Sequence, residues 1–406
     1  MRLIMRSVYL DNNATTKVSQ KAIDAMLPYY TDIWGNASSV FYETGQKAET
    51  ALSRLRESVA KNIGASNANE IYFTASGCEA DNWAIKGIAF ANKRRGNHII
   101  TTKIEHHAVL GACEFLEKNG FEITYLDVDK YGLVSPDAVE SAITDRTILI
   151  SVMTANNEIG TIMPIKKIAE AAHRHKVLFH TDAVQAIGHM PVNVSELGVD
   201  MLSLSAHKFH GPKGVGALYI RNGVRIENLI HGGGQERGKR AATENLAGIA
   251  GMAAALESAV TDLEKNTAHM KKLRDVLING IRERVSFIKL NGPEDERRLC
   301  NNVNFSYEFV EGESILMHLN RNGIAASSGS ACASGSLDPS HVLLAIGVPH
   351  EIAHGSIRFS VGEDTTEEDI LYTLDVLPGI IDKLRDMSPM YEAYTEGRIK
   401  SFTCRK

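Results

Sequence analysis

Over the first half of this chain, short apolar runs that read as strands alternate with longer helical stretches, and this alternation constrains the fold more than any other property of the sequence. The runs are Glu70–Thr74, His98–Thr102, Glu122–Leu126, Thr147–Met153, Val177–His180, Val199–Ser205 and Gly216–Ile220. Strands separated by helices predict a mostly parallel sheet covered on both faces, because each crossover returns through a helix packed against the sheet. Farther on, Leu246, Ile249, Ala253, Leu256, Val260 and Leu263 recur at three- and four-residue spacing, and the pattern resumes at Leu273, Val276, Leu277 and Ile281. That spacing predicts long helices leaving the first domain. A second domain then has strands near Ile288 and Val303, a helix after Gly312 and a strand over Ser356–Ser360. The expected fold class is α/β: a large domain over 15–263 with a mostly parallel seven-stranded sheet, and a smaller α+β domain over 264–406 joined by an N-terminal arm, 1–14.

A length of 406 residues suits two domains, and a formal net charge of −5 gives no electrostatic case for nucleic acid as a partner. No apolar run approaches a membrane span, and Met1–Arg6 carries charge where a signal peptide needs its apolar core. A cytoplasmic protein is therefore expected. Five cysteines, odd in number and widely spaced, fit reduced thiols better than a disulfide framework. No cysteine pair has metal-ligand spacing, and His173 and His175, two apart in a helical stretch, point in different directions. No metal is expected.

The chemistry is concentrated at the ends of the predicted strands. Lys208 follows the run ending at Ser205, with Ala206 and His207 before it and glycines after it. A lysine confined there loses hydration, which favours the neutral amine that attacks an aldehyde cofactor. Asp182 ends another run, where a carboxylate can keep a pyridine nitrogen protonated, and the two together point to pyridoxal 5'-phosphate. Either residue alone has an ordinary reading, as a solvated lysine or a turn aspartate. The turn Thr74-Ala75-Ser76-Gly77-Cys78-Glu79 leads from a strand into a helix beginning near Glu79, and small residues there let a phosphate reach backbone N–H groups. His106 and Asn156–Gly160 fall at the same edge, where ligands of doubly wound sheets sit. Gly232–Gly234 lacks the spacing of a dinucleotide loop and reads as a turn. The Gly/Ser-rich stretch Ala325–Ser336 reads either as a linker or as an arm carrying its one cysteine, Cys332.

Several segments, in order and over nearly the whole chain, resemble the NifS/IscS-type cysteine desulfurases. They are Tyr9–Thr16, Glu105–Val109, Asn156–Gly160, His180–Gln185, Ser205–Gly214, Gly232–Arg237, Ser327–Cys332 and Ile357–Ser360. The resemblance implies the pyridoxal-phosphate-dependent transferase fold of type I, a homodimer, and conversion of L-cysteine to L-alanine with the sulfur held as an enzyme persulfide. A sulfur-acceptor or iron-sulfur scaffold protein is the implied partner. By the same resemblance Lys208 is the Schiff-base lysine, Asp182 the pyridinium partner, and His106 the stacked ring and proton-transfer group. Gln185 and Asn157 address the phenolic oxygen, Asn157 also meeting substrate. Gly77, Cys78, Ser205 and His207 hold the phosphate, with Thr243 reaching it from the other subunit. Arg358 takes the substrate carboxylate, for which its two-pronged guanidinium is suited, and Cys332, on a loop over 325–338, takes the sulfur. Two features depart from the family: Gly77-Cys78 stands where a small residue and threonine are usual, and the ending Ser401–Lys406 does not match the usual scaffold-docking tail. An aminotransferase, a selenocysteine lyase and a non-catalytic sulfur carrier are the rival readings; the first has no use for Cys332, and Lys208, Asp182, His106 and Arg358 argue against the last.

Overall fold

The computed structural model describes residues 6–328 and 339–403. Seven strands, β2 (Ile71–Thr74), β3 (His98–Thr102), β4 (Glu122–Leu126), β5 (Thr147–Ser151), β6 (Leu178–Asp182), β7 (Met201–Ser205) and β8 (Gly216–Ile220), form one sheet in the order β2-β8-β7-β6-β5-β3-β4. All neighbouring pairs are parallel except those made by β8, which is antiparallel to both β7 and β2. The sheet is the mostly parallel one that the alternation predicts. Its strands are trimmed where local bonding competes. Asn67 and Glu70 form a reciprocal cap around a short 3₁₀ turn, Ala68–Glu70, which keeps Glu70 out of β2.

Both faces of the sheet are buried. Ile100, Ile150 and Leu202 point into one cluster, with helices α1 (Glu43–Asn62), α4 (Ile165–Arg174) and α5 (Leu246–Thr261). Their neighbours Ile99, Leu149 and Met201 point the other way, against α2 (Gly77–Ala91) and α3 (His107–Glu117). Burial on both faces explains why these strands read as continuous apolar runs and not as alternating ones.

A third cluster is built from α6 (Leu263–Arg284), α7 (Gly312–Arg321), α9 (Glu367–Asp386) and the antiparallel sheet β12-β10-β9. Its strands are β9 (Ile288–Leu290), β10 (Asn302–Tyr307) and β12 (Ser356–Ser360). A short helix α8 (His341–Ala345) precedes β12 in the chain but packs into the first cluster, and the N-terminal β1 (Val8–Tyr9) pairs with β11 (Ile324–Ala325) beside the third. From β1 the chain bonds to β12 through Asn13 N–H and Ser360 Oγ at 2.9 Å, then to the large sheet through Thr16 N–H and His207 O at 2.9 Å. This arm ties the two sheets together at the carboxyl ends of the parallel strands. Among the described residues no single helix is long and apolar enough to cross a membrane.

Candidate active site

A cavity of about 330 Å³ opens at those strand ends. Lining it are Gly77 and Cys78 after β2, His106 after β3, Asn157 after β5, Asp182 and Gln185 at the end of β6, Ser205, His207 and Lys208 at the end of β7, and Arg358 from β12. Thr243 is exposed and does not line it. Cys332 lies outside the described residues.

Lys208 projects from a 3₁₀ turn, Ala206–Lys208, that follows β7 without a break. Its Nζ donates to the carbonyls of Asn13 and, at 2.8 Å, Ala14. The arm thus holds the amine in the cavity. Asn13 O also accepts from Gln185 Nε2 at 2.8 Å, whereas Gln185 Oε1 is buried with no partner. Asp182 accepts the N–H of Val184 at 2.8 Å. Burial pushes its carboxyl up, and the Val184 N–H and the Lys208 charge pull it back. Beside it Asp81, wholly buried, is pushed up by burial and further by the charge on Asp182. Each carboxylate opposes the other's ionisation, and the Lys208 charge, which lowers Asp182, favours the negative charge there and the proton on Asp81. Behind them His180 is fixed by Ser151 Oγ at 2.9 Å and Ser203 Oγ at 3.0 Å, and burial pulls its imidazole down to about 3, so it is neutral.

At the opposite end of the cavity α2 begins at Gly77, two residues earlier than the turn composition suggests, because Ser76 acts as its cap: Ser76 Oγ accepts the N–H of Glu79 at 3.1 Å. The first N–H groups of a helix have no carbonyl within it to bond, so this end offers donors and positive potential to an anion. A side chain at Gly77 would meet Val184 Cγ2 at 2.8 Å and Ser205 Cβ at 3.3 Å, so glycine keeps that wall open. His207 Nδ1 meets Thr15 Oγ1 at 3.2 Å, and burial pulls this imidazole down to about 4.

His106 is the cap of α3; its Nδ1 accepts the N–H of Ala108 at 3.1 Å. Burial and then the Lys208 charge pull it down to about 4. A neutral ring with Nδ1 occupied carries its proton on Nε2. Arg358, 1% exposed, donates from Nη1 to Asn157 O at 3.1 Å and from Nη2 to Asp11 Oδ1 at 2.8 Å, so its fork is oriented from two sides.

Residue reasoning alone missed Asn13, Asp11, Asp81, Glu105 and His341. Asn13 acts through its backbone carbonyl, which leaves no trace in residue type. Glu105, adjacent to His106 and wholly buried, accepts from Thr102 Oγ1 at 2.7 Å and Met153 N–H at 3.0 Å, and burial pushes its carboxyl up to about 8. Its carbonyl accepts from His341 Nε2 at 3.0 Å. Glu158 accepts from Ser340 Oγ. On the other side of 329–338, Ser327 pairs through its backbone with Arg358, donating its N–H at 3.1 Å. Both described ends of the segment around Cys332 are therefore fixed to residues of the cavity wall. His173 and His175 pair with different carboxylates, Asp200 at 2.9 Å and Glu140 at 3.0 Å. Cys113 and Cys300 are buried.

The model of the aminotransferase class-V family matches residues 8–372. Cysteine desulfurase IscS of Clostridium botulinum is 58% identical over 394 residues, 97% of this chain and 99% of that protein. The solved structure of a NifS-like protein superposes with a TM-score of 0.88 at 40% identity, covering 93% of this chain and 100% of that one. SspA, solved in complex with cysteine, gives a TM-score of 0.78 at 36% identity over 89% of this chain and 100% of its own. Fold, strand-end cavity and these likenesses agree: the chain belongs to the class-V aminotransferases and, within them, to the IscS/NifS-type cysteine desulfurases.

Proposed function

We propose that this chain binds pyridoxal 5'-phosphate and converts L-cysteine to L-alanine, passing the sulfur through Cys332 to an acceptor in iron-sulfur cluster assembly. The observation that carries this is the convergence of Lys208, Asp182, His106 and Arg358 on one cavity. The cavity fits the cofactor in its donor set: a charged carboxyl at Asp182 for a pyridine nitrogen, the Lys208 amine for an aldehyde, and a helix end with Gly77, Cys78, Ser205 and His207 for a phosphate. The buried, unpartnered amide oxygen of Gln185 marks a wall that expects a polar neighbour. When bound, the cofactor supplies an electron sink for charge left on the substrate's α-carbon.

The chain's own groups have separable tasks. Lys208, positioned by Asn13 and Ala14, moves the α-proton once its nitrogen is released. His106 presents an Nε2–H to the cavity, where it would hand a proton to a substrate group bound beside it. Arg358, held by Asp11 and Asn157, takes the substrate carboxylate on its guanidinium. The thiolate of Cys332 attacks the substrate sulfur: an S–S bond forms, the C–S bond breaks with its electron pair on carbon, and that carbon takes a proton. The balance is cysteine plus enzyme thiol to alanine plus enzyme persulfide. Anchoring of the flanks, Ser327 at Arg358 and His341 at Glu105, supports Cys332 as the residue delivered to this cavity.

The reading extends to the assembly. A large unit over 15–263 and a small one over 264–406, joined by the arm 1–14, is supported by the separate cluster that α6, α7, α9 and the sheet β12-β10-β9 form, although Val342–Ala353 of the small unit pack into the core of the large one. A homodimer is supported by the exposed aromatic residues Tyr30, Trp34, Phe41 and Tyr42, and by Thr243, which would complete its partner's site. Thiol chemistry of this kind suits the reducing cytoplasm.

The visible spectrum of the purified protein and assays for sulfide and alanine test the reading, with borohydride fixing the cofactor on Lys208. Cys332→Ser should keep the cofactor spectrum and respond to L-cysteine, yet form neither persulfide nor alanine at a useful rate. Full turnover by that variant would refute the assignment.

A further inference from the structure

The segment Gly232–Thr243, between β8 and α5, contributes no residue to the cavity wall, yet it is held against β2 by an unusual set of contacts. Glu236 and Arg237 both adopt left-handed backbone, with φ of 48° and 56°, a conformation that side chains disfavour. Such strain persists only where the surroundings enforce it. Here the enforcing contacts are specific. Glu236 is buried, pairs with both terminal nitrogens of Arg56 at 2.7 and 2.8 Å, and accepts the N–H of Phe73 at 3.1 Å. Arg56 and Arg237 each donate to Ile71 O at 2.8 Å. Since β2 is an edge strand, these side chains fill the hydrogen-bonding positions that a further strand would occupy.

Four residues beyond Glu236, Arg240 grips Glu79 with two bonds, Nε to Oε1 at 2.8 Å and Nη2 to Oε2 at 3.1 Å. Glu79 Oε2 in turn accepts the N–H of Ala75 at 2.8 Å. A glutamate in the first turn of α2 stabilises that helix but places a negative charge within a turn of the N–H groups that face the cavity. Unneutralised, it would oppose an anion there. The Arg240 fork cancels this charge and orients the carboxylate so that it braces the turn.

We propose that Arg240, acting through Glu79, is a positioning residue for the anion-binding turn Ala75–Cys78, and that the buried Arg56–Glu236 pair holds the segment in the register this requires. The proposal rests on the cofactor reading above. It is tested by titrating apoprotein with pyridoxal phosphate and with pyridoxal, which lacks the phosphate, and following the absorbance of the lysine adduct. Arg240→Ala should weaken pyridoxal phosphate about tenfold, the size of one lost charge-assisted contact, and change pyridoxal by less than about twofold, the margin set by a contact not made. Adding Glu79→Gln to it should recover most of the loss, because the uncancelled charge is gone. Arg240→Lys, which keeps the charge and is the variant to use if the alanine form does not fold, should stay closer to the parent. Equal weakening of both ligands, or of neither, overturns the proposal and leaves the cofactor reading standing. A parent apoprotein that takes up neither ligand overturns both.

Discussion

Charge state decides what each residue of this cavity can do. Asp81, Glu105 and Asp182 are three of the four carboxyl groups that line one small space, and of these three only Asp182 has the Lys208 charge pulling its carboxyl down. The lysine and Asp182 are legible in the sequence because strand-end position and residue type together imply their chemistry. That burial pushes the carboxyls of Asp81 and Glu105 up is not legible, since only the assembled sheet creates that burial. Glu105 gives a measurable consequence. Its carboxyl is raised from 4.5 to about 8 in the folded protein, so its contribution to stability is complete below its unfolded value and is lost as pH rises through about 8. The slope is bounded at about 1.4 kcal/mol per pH unit for one proton. Glu105→Gln, which keeps the shape without the titration, should therefore flatten the fall in melting temperature between weakly acidic and weakly alkaline pH. Parallel curves for parent and variant would show that Glu105 is already ionised.

Among the elements, the β2–α2 turn is sterically confined by its neighbour in the sheet. Gly216 of β8 lies against it: a Cβ there would meet Leu204 O at 2.7 Å and Ser76 C at 2.8 Å, both backbone atoms that cannot swing aside. Gly216→Ala should cost about 1–3 kcal/mol, as overpacking in a dense interior does, and should also weaken cofactor retention because the turn is displaced. Denaturant unfolding gives the first quantity and dialysis followed by absorbance the second; an unchanged value for both would mean that β8 yields without moving the turn. The strands are legible to within one or two residues because all but the half-buried edge strand β4 are largely buried. Composition places the start of α2 near Glu79, two residues past Gly77, because the cap, Ser76, sits in a run of small residues whose composition equally suits a loop.

At the scale of the molecule, the aromatic residues between α1 and the arm stand out: Phe41 is 96% exposed and Trp34 67%. Side chains of this size left in water are what a second copy would cover in the proposed homodimer. Trp34→Ser combined with Phe41→Ser should shift the protein from dimer towards monomer in sedimentation and, if Thr243 completes the partner's site, loosen the cofactor as well. A dimer that persists with full cofactor would move the interface elsewhere.

By itself the sequence determined the α/β class, the seven strands and their helices, and the strand-end positions of Lys208, Asp182 and His106. Those follow from local apolar patterning and from chemistry that only a few residue types can perform. Tertiary structure alone decided that the arm 1–14 delivers backbone carbonyls to Lys208 and Gln185, that Asp11 and Asn157 orient Arg358, and that Arg240 reaches the anion-binding turn. These contacts join residues more than a hundred positions apart, in several cases through backbone atoms that every residue shares, so no local pattern can encode them.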